Sequence, residues 1–207
     1  MPSRNTVKQY VAPGYYHIYN RGAGGMQIFR DNTDRKKFLS LLERHLTPPD
    51  QYDRDEIDEL EQPESYTYYE VETVAYCLMG NHFHLLFYLP NDIAAITGLM
   101  RSVSTAYSMY FNLRHKSQGH VFQSVYRAAH IDNEPYLAHI SRYIHMNPRT
   151  WRTYKWSSIL EYTGQRHTKW VHPERVTSMS PQSYFEFLED YQDRKDTLAI
   201  VKRELAS

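Results

Sequence analysis

YCLMGNHFHLLFYL, running from Tyr76 to Leu89, is the stretch whose reading decides the fold. Two apolar runs flank Met79-Gly80-Asn81, so the segment reads as two neighbouring strands joined by a hairpin turn. Side chains alternate across a strand, and residues two apart share a face. His82 and His84 therefore point the same way, while Phe83 points to the opposite side, toward a core. Two imidazoles side by side on a sheet make half of a metal site, because each offers a neutral ring nitrogen to a divalent cation. The plainer reading is a pair of exposed or internally bonded histidines, and His-x-His alone favours it.

Outward from this hairpin the chain alternates strands and helices. Tyr15 to Gly22 reads as the first strand, rich in Tyr and Ile and ended by glycines at 22, 24 and 25. Asp31 with Asp34 opens a helix whose Phe38, Leu41, Leu42 and Leu46 form one apolar stripe, and Pro48-Pro49 stops it. Residues 47–66 carry prolines and many acids with few apolar anchors, which marks an acidic insertion. Tyr68–Cys77 and Phe83–Leu89 are the hairpin strands. Asp92 to Arg114 reads as a long helix with Ile93, Ile96, Met100, Val103, Tyr107 and Tyr110 on its apolar face. Val121 to Ile131 is the last expected strand, and Glu134 to Met146 the next helix. Apart from that helix the order is βαββαβ, which predicts an α+β, ferredoxin-like sandwich: an antiparallel sheet with helices on one face. Residues 1–164 make this domain. Residues 165–207 make a linker with Pro173 and a helical extension from Ser180-Pro181 through Leu205, with Phe185, Leu188, Tyr191 and Leu198 as docking residues.

The second informative stretch is Tyr143-Ile144-His145-Met146-Asn147-Pro148. Tyr143 and Asn147 are four apart and lie on one helix face. Pro148 biases Asn147 away from the helix, so the pair occupies its last turn. Facing a His-x-His strand, the phenol and the carboxamide become a nucleophile beside a third metal ligand. A tyrosine oxygen attacks a phosphodiester once a cation polarises the phosphate. The alternative is that Tyr143 is a core aromatic, the ordinary fate of most of the 19 tyrosines.

Charge is neutral overall but uneven. Residues 50–72 hold ten acidic side chains against Arg54, a local charge of −9, so the rest of the chain carries +9. Between Ile93 and Trp156 eight Arg and Lys oppose only Asp132 and Glu134. A cationic surface of that kind attracts phosphate by releasing counterions, although a solvated helix face has the same composition. The single cysteine, Cys77, excludes an internal disulfide. No run approaches the eighteen or so apolar residues of a membrane span. We expect a cytoplasmic protein without membrane association.

With these pieces in place the sequence resembles the single-tyrosine HUH transposases of the IS200-like superfamily, in particular the REP-associated tyrosine transposases. The resemblance rests on an ordered set of stretches from about residue 14 to residue 164. They are Tyr16-His17-Ile18-Tyr19-Asn20-Arg21-Gly22, Ile28-Phe29, Tyr76-Cys77-Leu78-Met79-Gly80-Asn81 with the two histidines, Gly119-His120-Val121-Phe122-Gln123 with Tyr126-Arg127, Tyr143-Ile144 with Asn147-Pro148, and Tyr154-Lys155-Trp156-Ser157-Ser158. After Asn147-Pro148 the chain reads Arg149-Thr150-Trp151-Arg152, where family members often carry a small residue and glycine.

The resemblance implies that His82, His84 and Asn147 hold a divalent metal, Mg²⁺ or Mn²⁺, and that Tyr143, on a catalytic helix, is the nucleophile. It implies single-stranded DNA hairpins of the repetitive palindromic type as partners, and a 5′-phosphotyrosine intermediate with a free 3′-OH. Tyr19, Asn20 and Arg21 are candidates for reading bases. Arg101, Arg114, Lys116, Arg127, Arg142 and Arg149 are candidates for the phosphate backbone, in the manner of cationic grooves with aromatic platforms. His139 and His145 are candidates for assisting the nucleophile; His139 lies nearer the Tyr143 face, and the favoured reading of it is a solubilising or phosphate-contacting residue. A monomer is favoured, with a dimer as the alternative. Two other functions share these features: a non-catalytic nucleic-acid-binding protein retained by the host, and a metal-dependent phosphoesterase that uses water.

Overall fold

β1 (Gly14–Arg21), β2 (Glu72–Leu78), β3 (His82–Leu89) and β4 (Arg127–Ile131) pair antiparallel in the order β2-β3-β1-β4. The computed structural model describes residues 9–51, 67–132 and 136–190. α1 (Asn32–Leu46) connects β1 to β2, α2 (Ala95–His115) connects β3 to β4, and α3 (Leu137–His145) follows β4. This is the expected βαββαβ order and α+β class. Most of the acidic insertion, together with Tyr191, Leu198 and the end of the expected C-terminal helix, lies outside the described residues.

Local chemistry accounts for the element ends. Asp31 caps α1 by accepting hydrogen bonds from the backbone N–H groups of Thr33 at 2.8 Å and Asp34 at 3.1 Å, a motif that contributes about 1 kcal/mol. The expected stripe of Phe38, Leu41, Leu42 and Leu46 is buried. α2 begins at Ala95 rather than Asp92, which leaves Ile93 outside the helix and 57% exposed. It ends at Lys116, whose left-handed φ of 49° lets its N–H reach the carbonyl of Asn112.

The last strand is shorter than its apolar residues predict. Val121 and Phe122 cross the end of β1, through Ala23 N–H to the Val121 carbonyl, a Gly22–Phe122 bridge and Gln123 N–H to the Arg21 carbonyl. Gly119, at φ 86°, turns the chain into this crossing. The ladder itself begins at Arg127.

α1 and α2 share one face of the sheet, as expected for the sandwich, and α3 with the later helices covers the other. Phe83, Leu85, Phe87 and Leu89 of β3 pack with the α1 and α2 stripes in the larger core. Leu86 packs on the other side with Val74, Cys77 and Ile131 against α3, α4 (Ile159–Tyr162) and α5 (Pro181–Glu189). The run Phe83–Phe87 is consequently buried without a break, the pattern of a strand covered on both sides. α5 starts on Ser180, whose hydroxyl accepts from Ser183 N–H at 3.1 Å. It docks through Tyr184 and Leu188, both fully buried. The outer edge of β2 is closed by the main chain at 156–158, where Leu78 N–H bonds the Trp156 carbonyl and Ser158 N–H bonds the Tyr76 carbonyl. Covering an edge in this way removes a template for unwanted strand pairing.

Candidate active site

Strand register assembles the site. Tyr19 pairs with His84 on one side and Arg127 on the other, while Arg21 pairs with His82 and His17 with Leu86. Directly paired residues project to the same face. The α3 face therefore carries His17, Tyr19, Arg21, His82, His84 and Arg127.

α3 brings its last turn over this patch. The Tyr143 ring meets His84 edge-on, with centroids 5.6 Å apart, and His17 edge-on at 6.3 Å. The His82 and His84 rings are 5.1 Å apart and perpendicular. The Asn147 carboxamide lies near enough to the His82 ring and the Tyr143 phenol to influence the pKa of both, and its amide donates to the Tyr143 carbonyl at 3.1 Å. Two strand imidazoles, a helix-end carboxamide and a phenol thus converge, as the two spacings predict.

The imidazoles are held neutral. Burial lowers the His82 pKa against a smaller opposing effect of Asn147, with Arg21 adding to the lowering. Burial also pushes His84 well below the ordinary value, helped by His17 and His82. Neutral rings are what metal ligation requires. His82 donates from Nδ1 to Asn81 Oδ1 at 2.7 Å, which leaves Nε2 as its free electron pair. This donor set of two imidazoles and a carboxamide fits a divalent cation. Among the described residues no group of three or more His, Cys, Asp or Glu forms an alternative centre. Burial raises the Tyr143 pKa, with Asn147 opposing and Tyr19 reinforcing, so the resting phenol keeps its proton.

α3 is anchored on the side away from this patch. His145, fully buried, accepts or donates on both ring nitrogens: Nδ1 lies 2.9 Å from the Tyr184 hydroxyl and Nε2 2.7 Å from the Ser158 hydroxyl. Ser141 bonds the same Tyr184 hydroxyl at 2.8 Å, and Ser158 Oγ accepts from Tyr76 N–H at 2.8 Å. One chain of hydrogen bonds thus ties α3 to α5 and to β2.

The remaining candidates separate. Tyr19 is flanked by His84 at 6.0 Å and by the Arg127 guanidinium at 6.0 Å. Arg21 and Arg149 are exposed. Arg149 lines a cleft of about 350 Å³ beside Asn147, with Met146, Trp151 and Arg152. Arg101 and Lys116 lie on α2 and its C-terminal end, away from the α3 face. Three residues are engaged elsewhere. Asn20 projects to the opposite face, where its amide donates to the Ser124 carbonyl at 2.9 Å and its oxygen accepts from Arg21 N–H. Arg114 is ion-paired with Asp31 at 2.7 Å and Asp34 at 2.5 Å. Arg142 is buried, its guanidinium 4.4 Å from the Phe187 ring centroid and donating to the Phe187 carbonyl at 3.0 Å. His139 packs against Tyr136 and Phe187. His17 is the site residue that local patterns do not single out. The only signal is its two-residue spacing from Tyr19.

Fold and site together define an α+β sandwich whose sheet offers paired imidazoles to a tyrosine-bearing helix. The family model described as "Transposase IS200 like" matches residues 53–147, a span that holds His82, His84 and Tyr143 and ends on Asn147. A solved structure of a REP-associated tyrosine transposase bound to a REP hairpin is similar in fold, with a TM-score of 0.55 and 15% identity, covering 86% of this chain and 96% of that one. No curated protein sequence matches the chain. Among the described residues no helix is long and apolar enough to cross a membrane.

Proposed function

We propose that this chain is a metal-dependent single-stranded DNA endonuclease and strand transferase that acts on hairpins of the repetitive palindromic type. The observation that carries this reading is the convergence of Tyr143, His82, His84 and Asn147 from one strand and one helix end.

His82, His84 and Asn147 would hold Mg²⁺ or Mn²⁺, which when bound supplies Lewis-acid polarisation of the scissile phosphate. Tyr143 Oη forms a bond to phosphorus and loses its proton, the bond from phosphorus to the deoxyribose 3′ oxygen breaks, and that oxygen leaves as a 3′-OH. The 5′-phosphotyrosine retains the phosphodiester's bond energy, so a 3′-OH can reverse the step and join strands. Burial favours the protonated phenol in the resting site. Tyr19, with Arg127 beside it, offers a stacking surface for a base next to the site. Arg21, exposed beside Tyr19, would read a neighbouring base and the exposed Arg149 would hold a flanking phosphate, while Arg101 and Lys116 would serve a more distant part of the hairpin. Residues 1–164 form the catalytic domain, and the extension after 164 braces the catalytic helix through α5.

The test is incubation with end-labelled single-stranded hairpin DNA and Mn²⁺, followed by denaturing electrophoresis. A protein-linked band given by the native chain and lost in Tyr143→Phe supports the proposal. Cleavage to free ends without a linked band indicates a water-using phosphoesterase. Binding without cleavage by the native chain indicates a non-catalytic DNA-binding protein. Either of the last two results overturns the proposal.

A further inference from the structure

Position 17 lies on apolar ground. Its cross-strand neighbours are Leu86 and Ala129, and the side chain is fully buried. A phenylalanine would occupy such a place without desolvating two ring nitrogens. The imidazole found there has one nitrogen, Nδ1, with no hydrogen-bond partner. Its other nitrogen, Nε2, stands 2.9 Å from Nδ1 of His84. The two rings are nearly coplanar, at 11°, with centroids 5.0 Å apart. That is the alignment of an in-plane N–H···N hydrogen bond. The one interaction that distinguishes this histidine from an apolar ring is therefore its bond to His84.

Of two neutral imidazoles sharing that bond, one donates and the other accepts. If His84 donates from Nδ1, its Nε2 keeps a bare electron pair. If His17 donates, the His84 proton sits on Nε2 and closes that nitrogen to a cation. His82 shows the first arrangement already: Asn81 Oδ1 accepts from its Nδ1 and frees its Nε2. Partners of this kind fix ligand tautomer and ring orientation in metal sites.

We propose that His17 is a positioning residue that accepts from His84 Nδ1–H and so prepares His84 Nε2 as a metal ligand. This rests on the metal-dependent reading above. Asn81 and His17 then back the two imidazoles in parallel, one from the hairpin turn and one from β1.

Two measurements on the full chain test it. Nitrogen-15 NMR of the metal-free protein reads the His84 tautomer directly, and calorimetry with Mn²⁺ compares the native chain with His17→Phe and His17→Gln. The expected results are a proton on His84 Nδ1 and Mn²⁺ affinity lowered about 10- to 100-fold in His17→Phe. Most of that affinity should return in His17→Gln, whose amide oxygen offers an acceptor with similar reach. Protonation of His84 on Nε2, or native Mn²⁺ affinity in a folded His17→Phe, overturns the proposal. If His17→Phe does not fold, the native tautomer and the glutamine variant decide. A native chain that binds no Mn²⁺ while His84 holds its proton on Nδ1 sinks the metal-dependent reading and leaves the tautomer lock standing.

Discussion

Asn147 is the residue on which the site's two elements meet, since its carboxamide lies near His82 of the sheet and bonds the Tyr143 carbonyl of the helix. On the proposed reading, replacing it with alanine removes an oxygen ligand from between the two elements. We expect Asn147→Ala to weaken Mn²⁺ binding by at least about tenfold, measured by calorimetry, and to abolish the protein-linked DNA band. On the proposed reading Tyr19 serves substrate binding rather than chemistry. Tyr19→Ala should cost about 1–3 kcal/mol of single-strand affinity and Tyr19→Phe little, because a stacking surface needs the ring and not the hydroxyl; fluorescence anisotropy would separate the two. His82, His84, Tyr143 and Asn147 were legible because their spacings, two on a strand and four on a helix, are fixed by backbone geometry. His17 was not, because its partnership with His84 depends on how β1 slides against β3. No local pattern encodes that register. Nor does sequence show that the guanidinium of Arg142 is buried under Phe187 or that Arg114 is held by two aspartates.

Among the elements, α3 depends most on its surroundings. Burial lowers the pKa of His145 to about 3 and that of His17 to about 3. The unfolded chain, with ordinary histidines, binds more protons than the folded one from about pH 6.5 down to about pH 3. Stability therefore falls as pH falls through that window, by up to about 1.4 kcal/mol per pH unit for each such group. Urea midpoints should drop between pH 7 and pH 5, and His145→Gln should flatten that dependence. Tyr184→Phe takes the shared hydroxyl from Ser141 and His145, and should destabilise the fold by about 1–3 kcal/mol by leaving buried polar groups unmet. The helices themselves were visible in their apolar stripes. Their distribution over two faces was less so. The unbroken apolar run Leu85–Leu89 is compatible with a strand covered on both sides, and the docking of α3 and α5 supplies the second cover.

Across the whole molecule, zero net charge conceals a division of labour among cations. Some arginines are committed to packing and others face solvent beside the site. Binding of single strands should weaken with salt at about 0.7 logarithmic units per contacted phosphate. Arg149→Ala should make that slope shallower. Arg142→Ala should leave the slope unchanged and lower thermal stability instead, because its guanidinium already serves the Phe187 ring and backbone. The hydrogen-bonded chain from α5 through His145 to β2 carries a last implication. Because it holds α3 in place within the fold itself, the proposed reaction would lose the entropy of aligning the phenol during folding and not at each turnover. Preorganisation of this kind leaves binding free energy to orient the strand. A variant with a loosened brace should then bind hairpin DNA normally yet attack it slowly.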